Sequence, residues 1–139
     1  MKKIFSTRTS ENALSFSLLI LRVGAGLLML LNHGLDKIMH FAQKSPKFAD
    51  PFHIGPTTSL SLLVFAEFFC AAFIILGLFT RLAAIPLIIA MGVAFFIINN
   101  GNYRGGPGGG ELALLFLFIF LVILVAGPGK WSLDRFIAK

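Results

Sequence analysis

The sequence predicts an all-α integral membrane protein, a bundle of four helices that cross the lipid bilayer. Its 139 residues are 57% hydrophobic and only 13% charged, whereas soluble domains carry roughly 25% charged residues. The apolar residues are gathered into four long blocks, and polar or glycine-rich connections separate these blocks. A chain of this composition has lipid as the solvent around its helices.

The four blocks predict spans over residues 13–33, 59–79, 82–98 and 111–126, within one domain that covers residues 1–139. A helix needs about 20 apolar residues to cross the hydrocarbon core, so the first two blocks are long enough and the last is short. Only Thr80 and Arg81 separate the second block from the third, which predicts a tight antiparallel hairpin. The connection over 34–58 predicts a loop with a short interfacial helix at 41–44, and the glycine-rich run over 99–110 predicts a second loop.

Four spans place both termini on the same side of the membrane. The basic residues of that side outnumber those of the other side, so the positive-inside rule predicts that both termini are cytoplasmic. The basic residues on the side of the termini are Lys2, Lys3, Arg8, Arg81, Lys130, Arg135 and Lys139, and those on the other side are Lys37, Lys44, Lys47 and Arg104. This charge is dispersed over termini and loops, so the net charge of +6 does not indicate a nucleic-acid interface.

Arg22 lies inside the first apolar block, close to its centre. An arginine near the bilayer midplane costs at least about 2.5–3.5 kcal/mol, so it needs a partner or water. Glu67 lies about eight residues into the second span, which is antiparallel to the first, and the two side chains are therefore expected at similar depth. The sequence predicts that Arg22 and Glu67 form an ion pair.

The remaining polar residues near the spans gather on the side opposite the termini. His33 shares a helix face with Arg22 and marks the outer end of the first span, while Lys37 follows it and Glu111 begins the fourth span. These positions predict a polar pocket that opens outward, with the pair at its floor. The predicted ligand-binding residues are Arg22, His33, Lys37, Glu67 and Glu111.

A second interpretation stays open, in which the Arg22–Glu67 pair only fixes the register of the helices. The histidines do not have the spacing of zinc ligands, so no metal site is predicted. Cys70 is the only cysteine, which excludes an intramolecular disulfide. The sequence encodes no motif for haem, an iron–sulfur cluster or a dinucleotide.

Four stretches of the chain resemble the DoxX family of small four-helix bacterial membrane proteins. They are LRVGAGLLMLLNHGLDKI over 21–38, AEFFCAAFIILGLFTRLAA over 66–84, GELALLFLF over 110–118 and GPGKWSLDR over 127–135. The resemblance covers most of the chain in the order of the family. The polar family positions present here are Arg22, His33, Lys37, Glu67, Arg81 and Glu111.

The resemblance implies a multi-pass protein of the bacterial cytoplasmic (inner) membrane that is associated with redox chemistry. The family takes its name from a subunit of a thiosulfate:quinone oxidoreductase, so a quinone is the cofactor that the resemblance implies. The expected function is a quinone-linked membrane subunit, and the expected partners are the lipid bilayer, a membrane or redox protein that carries electrons, and further copies of the chain. The alternative from another class is a non-catalytic membrane scaffold or assembly factor. A small transporter is a third hypothesis, which the short chain disfavours.

Overall fold

A computed structural model describes residues 3–139, and this part of the chain is helical and contains no strand. The helices Glu11–Met39, Pro56–Leu76 and Thr80–Ile98 are long and apolar enough to cross a membrane, and Glu111–Ala126 is a shorter apolar helix of 16 residues. The chain is therefore an all-helical protein with three to four helices suited to a membrane bundle. The helices are α1 (Glu11–Met39), α2 (Phe41–Lys44), α3 (Pro56–Leu76), α4 (Thr80–Ile98), α5 (Glu111–Ala126) and α6 (Asp134–Ile137). Lys2, one of the basic residues in the orientation argument, lies outside the described residues.

The long helices pack in a closed order. Helix α1 contacts α3, α3 contacts α4, α4 runs along α5, and α5 touches α1. The buried core includes Met29, Leu87 and Phe120, and the alanines at 71 and 84 let the helix backbones approach closely. Large apolar side chains also cover the outer surface, as expected for helices that face lipid.

Helix α1 is longer than the first predicted span. It begins after Ser10, whose hydroxyl accepts a hydrogen bond from Ala13 N at 3.1 Å, and it continues past residue 33 to Met39. His33 and Lys37 therefore lie within a helix and not at the mouth of a loop. The short helix at 41–44 is present as α2, and α5 has the bounds expected for the fourth span.

The turn between α3 and α4 comprises residues 77–79. Gly77 ends α3 with a φ of 68°, a left-handed conformation that suits glycine. Leu78 N then donates to Phe73 O at 2.9 Å and Gly77 N to Ile74 O at 3.1 Å, the two hydrogen bonds of a Schellman motif. Thr80 and Arg81, expected to form the hairpin turn, instead begin α4.

Three of the long helices contain a π-helical segment. These segments are Leu30–Gly34 in α1, Phe65–Cys70 in α3 and Val93–Ile98 in α4. The first two contact each other, and Gly34 lies directly on the backbone of Glu67. A side-chain Cβ at Gly34 would lie 2.6 Å from Glu67 O and 2.7 Å from Glu67 C, so only glycine fits this contact.

The bundle has two ends with different contents. The terminal side holds the start of α1, the turn over 77–79 and the C-terminal segment over 127–139, while the loop side holds the connections over 40–55 and 99–110. On the loop side, Asp50 anchors its connection by accepting hydrogen bonds from Ser59 Oγ at 2.8 Å and from Gly55 N at 2.8 Å. Burial by itself raises the pKa of Asp50, but these hydrogen bonds lower that pKa below its ordinary value.

We predict that Gly34→Ala destabilises the protein while Gly24→Ala does not. The added methyl group at 34 meets the backbone of Glu67, and forced overpacking costs typically about 1–3 kcal/mol. Gly24 lies on the same helix and has no neighbour within 4 Å of an added Cβ, so alanine there should be neutral or stabilising. Thermal unfolding of both variants in the same detergent checks this. Equal midpoints would contradict the close contact between α1 and α3.

Candidate functional site

Arg22 is fully buried, and its guanidinium binds backbone carbonyls instead of a carboxylate. Nη1 donates to Ile74 O at 3.0 Å and to Ile75 O at 3.1 Å, and Nη2 donates to Trp131 O at 2.6 Å. The helix dipole places partial negative charge on the last carbonyls of α3, which favours a cation there. The predicted ion pair between Arg22 and Glu67 is therefore wrong.

The reason for this error lies in the depth of the two residues. Arg22 is level with the end of α3 at Leu76, and Glu67 lies nine residues earlier in that helix, which is roughly 13 Å along its axis. Because α1 continues to Met39, its part that faces Glu67 is the stretch from Gly34 to Lys37. Arg22 lies on the terminal side, not at the floor of an outward pocket.

Lys37 is the actual partner of Glu67. Its Nζ lies 2.6 Å from Glu67 Oε2, and the two side chains are only 16% and 5% exposed. The approach is too oblique for an ordinary hydrogen bond, so Oε2 has an ionic contact but no directed donor. Lys37 Nζ also faces His33 O at 3.5 Å. The result is a buried carboxylate that is neutralised but incompletely hydrogen-bonded.

His33 lies one turn before Lys37 in α1 and meets this pair through its backbone carbonyl. It lies in the π-helical segment of α1, and its ring meets Phe116 of α5 edge to face with centroids 6.0 Å apart. Glu67 lies in the facing π-helical segment of α3. Such segments occur frequently at functional sites because they shift side chains out of the regular helical register. We refer to His33, Lys37 and Glu67 as the polar cluster.

Glu111 stands apart from the polar cluster. It is the exposed first residue of α5, and its carboxylate packs beside Gly105 of the glycine-rich connection. Among the described residues it forms no ion pair or side-chain hydrogen bond. The structure thus groups three of the five predicted site residues and separates Arg22 and Glu111 from them.

Sequence reasoning missed Asp134, which holds the terminal side together. Its carboxylate accepts hydrogen bonds from Phe79 N at 2.6 Å and Thr80 N at 2.9 Å, the first free amides of α4. Its own N–H donates to Gly77 O at 2.8 Å. A short polar residue beyond the last span gave no signal for this role, because its partners are backbone groups.

Two cavities lie on the terminal side of the bundle. They are lined by residues of the turn over 77–79, the start of α4 and the C-terminal segment. Neither borders the polar cluster, so the predicted outward pocket stays a prediction. Within residues 3–139, no group of three or more His, Cys, Asp and Glu side chains is arranged to hold a metal ion.

These features define a multi-pass helical membrane protein, with a buried charge pair near π-helical segments. Residues 17–100 match the DoxX family. The chain belongs to this family.

Three curated relatives are similar to the chain. An uncharacterized membrane protein of Mycobacterium tuberculosis, Rv3486, is 33% identical over 137 residues, covering 88% of this chain and 82% of that protein. An uncharacterized protein of Haemophilus influenzae is 30% identical over 101 residues, covering 71% of this chain and 67% of its own length. A further one from the same organism is 42% identical over 66 residues, covering 45% of this chain and 49% of that protein. No solved structure matches the chain.

We predict that Arg22→Met destabilises the protein by at least about 3 kcal/mol, because hydrogen bonds to charged groups are worth about 1.5–3 kcal/mol each and their loss leaves buried carbonyls unpaired. The stability of Arg22→Lys should lie between those of the native chain and Arg22→Met, since an ammonium cannot reach three carbonyls in the geometry of a guanidinium. Arg8→Met, at an exposed position, is the control. Chemical unfolding in detergent measures the differences. An Arg22→Met protein as stable as the control would refute this role.

We predict strong coupling between Lys37 and Glu67. Lys37→Met leaves a buried carboxylate alone, and breaking such a pair costs about 3–5 kcal/mol, whereas the double variant with Glu67→Gln should recover most of it. A double-mutant cycle on the exposed pair of Lys44 and Asp36 is the control, and its coupling energy should be about 1 kcal/mol or less. Unfolding free energies of the two cycles give both values, and equal coupling would show that the polar cluster is not a low-dielectric site.

Proposed function

We propose that the chain is a redox-associated membrane protein that binds the headgroup of a quinone at the polar cluster. The observation that carries this proposal is Glu67 Oε2, which is buried and has an ionic contact but no directed hydrogen bond. An ionisable residue within a membrane span is by default a candidate functional group. Glu67, Lys37 and His33 are ionisable residues within the helices that no helix terminus explains.

The donors and acceptors of the polar cluster fit the carbonyl oxygens of a quinone. The ammonium of Lys37 and a ring N–H of His33 are hydrogen-bond donors, and Glu67 is a carboxylate that accepts and returns protons. The flat rings of Phe116 and Phe120, stacked with centroids 5.9 Å apart, supply an apolar aromatic wall behind His33. These residues would hold and orient the headgroup.

A bound quinone would supply an acceptor of two electrons and two protons. The chain would contribute the carboxylate of Glu67 as the group that exchanges protons with the ligand, and the ammonium of Lys37, 2.6 Å from Oε2, would balance its charge. The electrons would come from a partner redox protein, since the sequence encodes no electron carrier.

The orientation of the chain is part of the proposal. Among the described residues, six basic residues belong to the terminal side and four to the loop side, which favours a cytoplasmic terminal side. Proton exchange at the polar cluster would then take place toward the periplasm. Arg22 has no part in this site, because its guanidinium is already bonded to three carbonyls.

A scaffold or assembly factor is the second candidate, favoured by the structural use of Arg22 and by exposed phenylalanines on the outer faces. Phe96 and Phe118 are 64% and 56% exposed, a surface that suits lipid, another copy of the chain or a membrane partner. In this alternative the polar cluster only fixes the packing of α1 on α3.

Purification in mild detergent tests the proposal. We predict that quinone is extractable from the purified protein, and that a short-chain quinone at about a hundred times its Kd raises the unfolding free energy by about 2.7 kcal/mol. Glu67→Gln with Lys37→Met should abolish this stabilisation while the protein stays folded. Lys47→Met, on the loop side, is the matched control and should respond like the native chain. The absence of both co-purified quinone and stabilisation would contradict the proposal and favour the scaffold.

A further inference from the structure

The C-terminal segment over 127–139 does not pack tightly along its whole length. It leaves two neighbouring cavities of about 360 and 540 Å³ against the ends of α3 and α4. Ser132 and Arg135 line both cavities, so the two are neighbours that share a wall. We call the two together the terminal crevice. It lies at the end of the bundle opposite the polar cluster, and nothing in the proposed function uses it.

The terminal crevice carries an excess of positive charge. Arg81 and Arg135 line its first part, and Lys130, Arg135 and Lys139 line its second part. Among the described residues Asp134 is the only acidic one that lines it, and the amides of Phe79 and Thr80 already occupy its carboxylate. Lys130 pairs with Glu11 at 2.5 Å, whereas Arg135 and Lys139 form no ion pair with any described residue. Two cations thus remain available.

Apolar side chains surround these cations. Leu76, Phe79 and Leu82 stand at the helix ends and are 54%, 53% and 67% exposed. Trp131, which is 51% exposed, lines the second part of the crevice. Tryptophan and basic residues at the ends of apolar helices mark the depth of the lipid headgroups. A ligand here meets hydrocarbon on one side and positive charge on the other.

We propose that the terminal crevice binds an anionic phospholipid. Arg135 and Lys139 would bind the phosphate, and the acyl chains would lie along the exposed leucines of the helix ends. An anionic headgroup fits better than a zwitterionic one, because a choline or ethanolamine cation would meet the same two basic residues. Free inorganic phosphate would leave the apolar wall of the crevice uncovered.

Trp131 is the only tryptophan of the chain, so its fluorescence reports on the terminal crevice directly. The protein is reconstituted into phosphatidylcholine vesicles that contain a small fraction of acyl-brominated lipid, either phosphatidylglycerol or phosphatidylcholine. We predict saturable quenching at a low fraction of brominated phosphatidylglycerol and only weak, linear quenching with brominated phosphatidylcholine. Inorganic phosphate at millimolar concentration should not reverse the quenching.

Paired variants separate a bound lipid from general surface charge. Arg135→Gln with Lys139→Gln should weaken the apparent affinity for phosphatidylglycerol roughly tenfold or more, since each basic residue contributes about 1 kcal/mol near an anionic membrane. Lys47→Gln with Arg104→Gln removes the same charge on the loop side and should leave the quenching curve unchanged. Arg135→Lys with Lys139→Arg should also preserve it. Equal quenching by both brominated lipids, an equal effect of both Gln pairs, or displacement by phosphate would each overturn the proposal.

Discussion

The contact between the guanidinium of Arg22 and three backbone carbonyls organises the terminal side of this bundle. A buried cation usually needs a counter-ion, but here the dipoles of peptide groups serve instead, two from the end of α3 and one from Trp131. The arrangement completes the hydrogen bonding of the helix end, because Leu133 N and Asp134 N donate to the next two carbonyls, those of Leu76 and Gly77. It also explains Gly77, since a Cβ there would lie 2.4 Å from Arg22 Nη1.

The same principle recurs at the neighbouring helix ends. Arg81, near the start of α4, donates from Nη2 to Val125 O at 3.3 Å, close to the end of α5. Asp134 supplies the opposite charge to the first amides of α4, as the helix dipole favours. Each of these charged groups compensates a helix terminus that lipid could not hydrate. The burial of Arg22 therefore has a structural explanation, and none of the three charged groups needs a ligand to account for its position.

Much of the fold could be predicted from the sequence, because long apolar blocks and the glycines that end them are local signals. Gly110 and the run from Gly127 to Gly129 bracket α5, which has the expected bounds. The partner of Arg22 could not be predicted, since backbone carbonyls are present at every position and leave no pattern. The extension of α1 through His33 and Lys37 was also hidden, because polar residues after an apolar block indicate a loop as readily as a helix end. The π-helical segments that bring Gly34 onto Glu67 have no recognisable sequence signature.

Lys37 and Glu67 differ in kind from the charges of the terminal side. Neither compensates a helix terminus, and replacing a buried ion pair by apolar residues of similar volume is often neutral or stabilising. The stability of the fold thus does not require an ion pair at this position. The carboxylate of Glu67 also keeps one oxygen without a directed hydrogen-bond donor. It also lies where α1 and α3 both depart from regular α-helix, and where Gly34 permits backbone contact. A charge pair that the packing does not require, beside a histidine and at two irregular segments, is the feature on which the proposed ligand site rests.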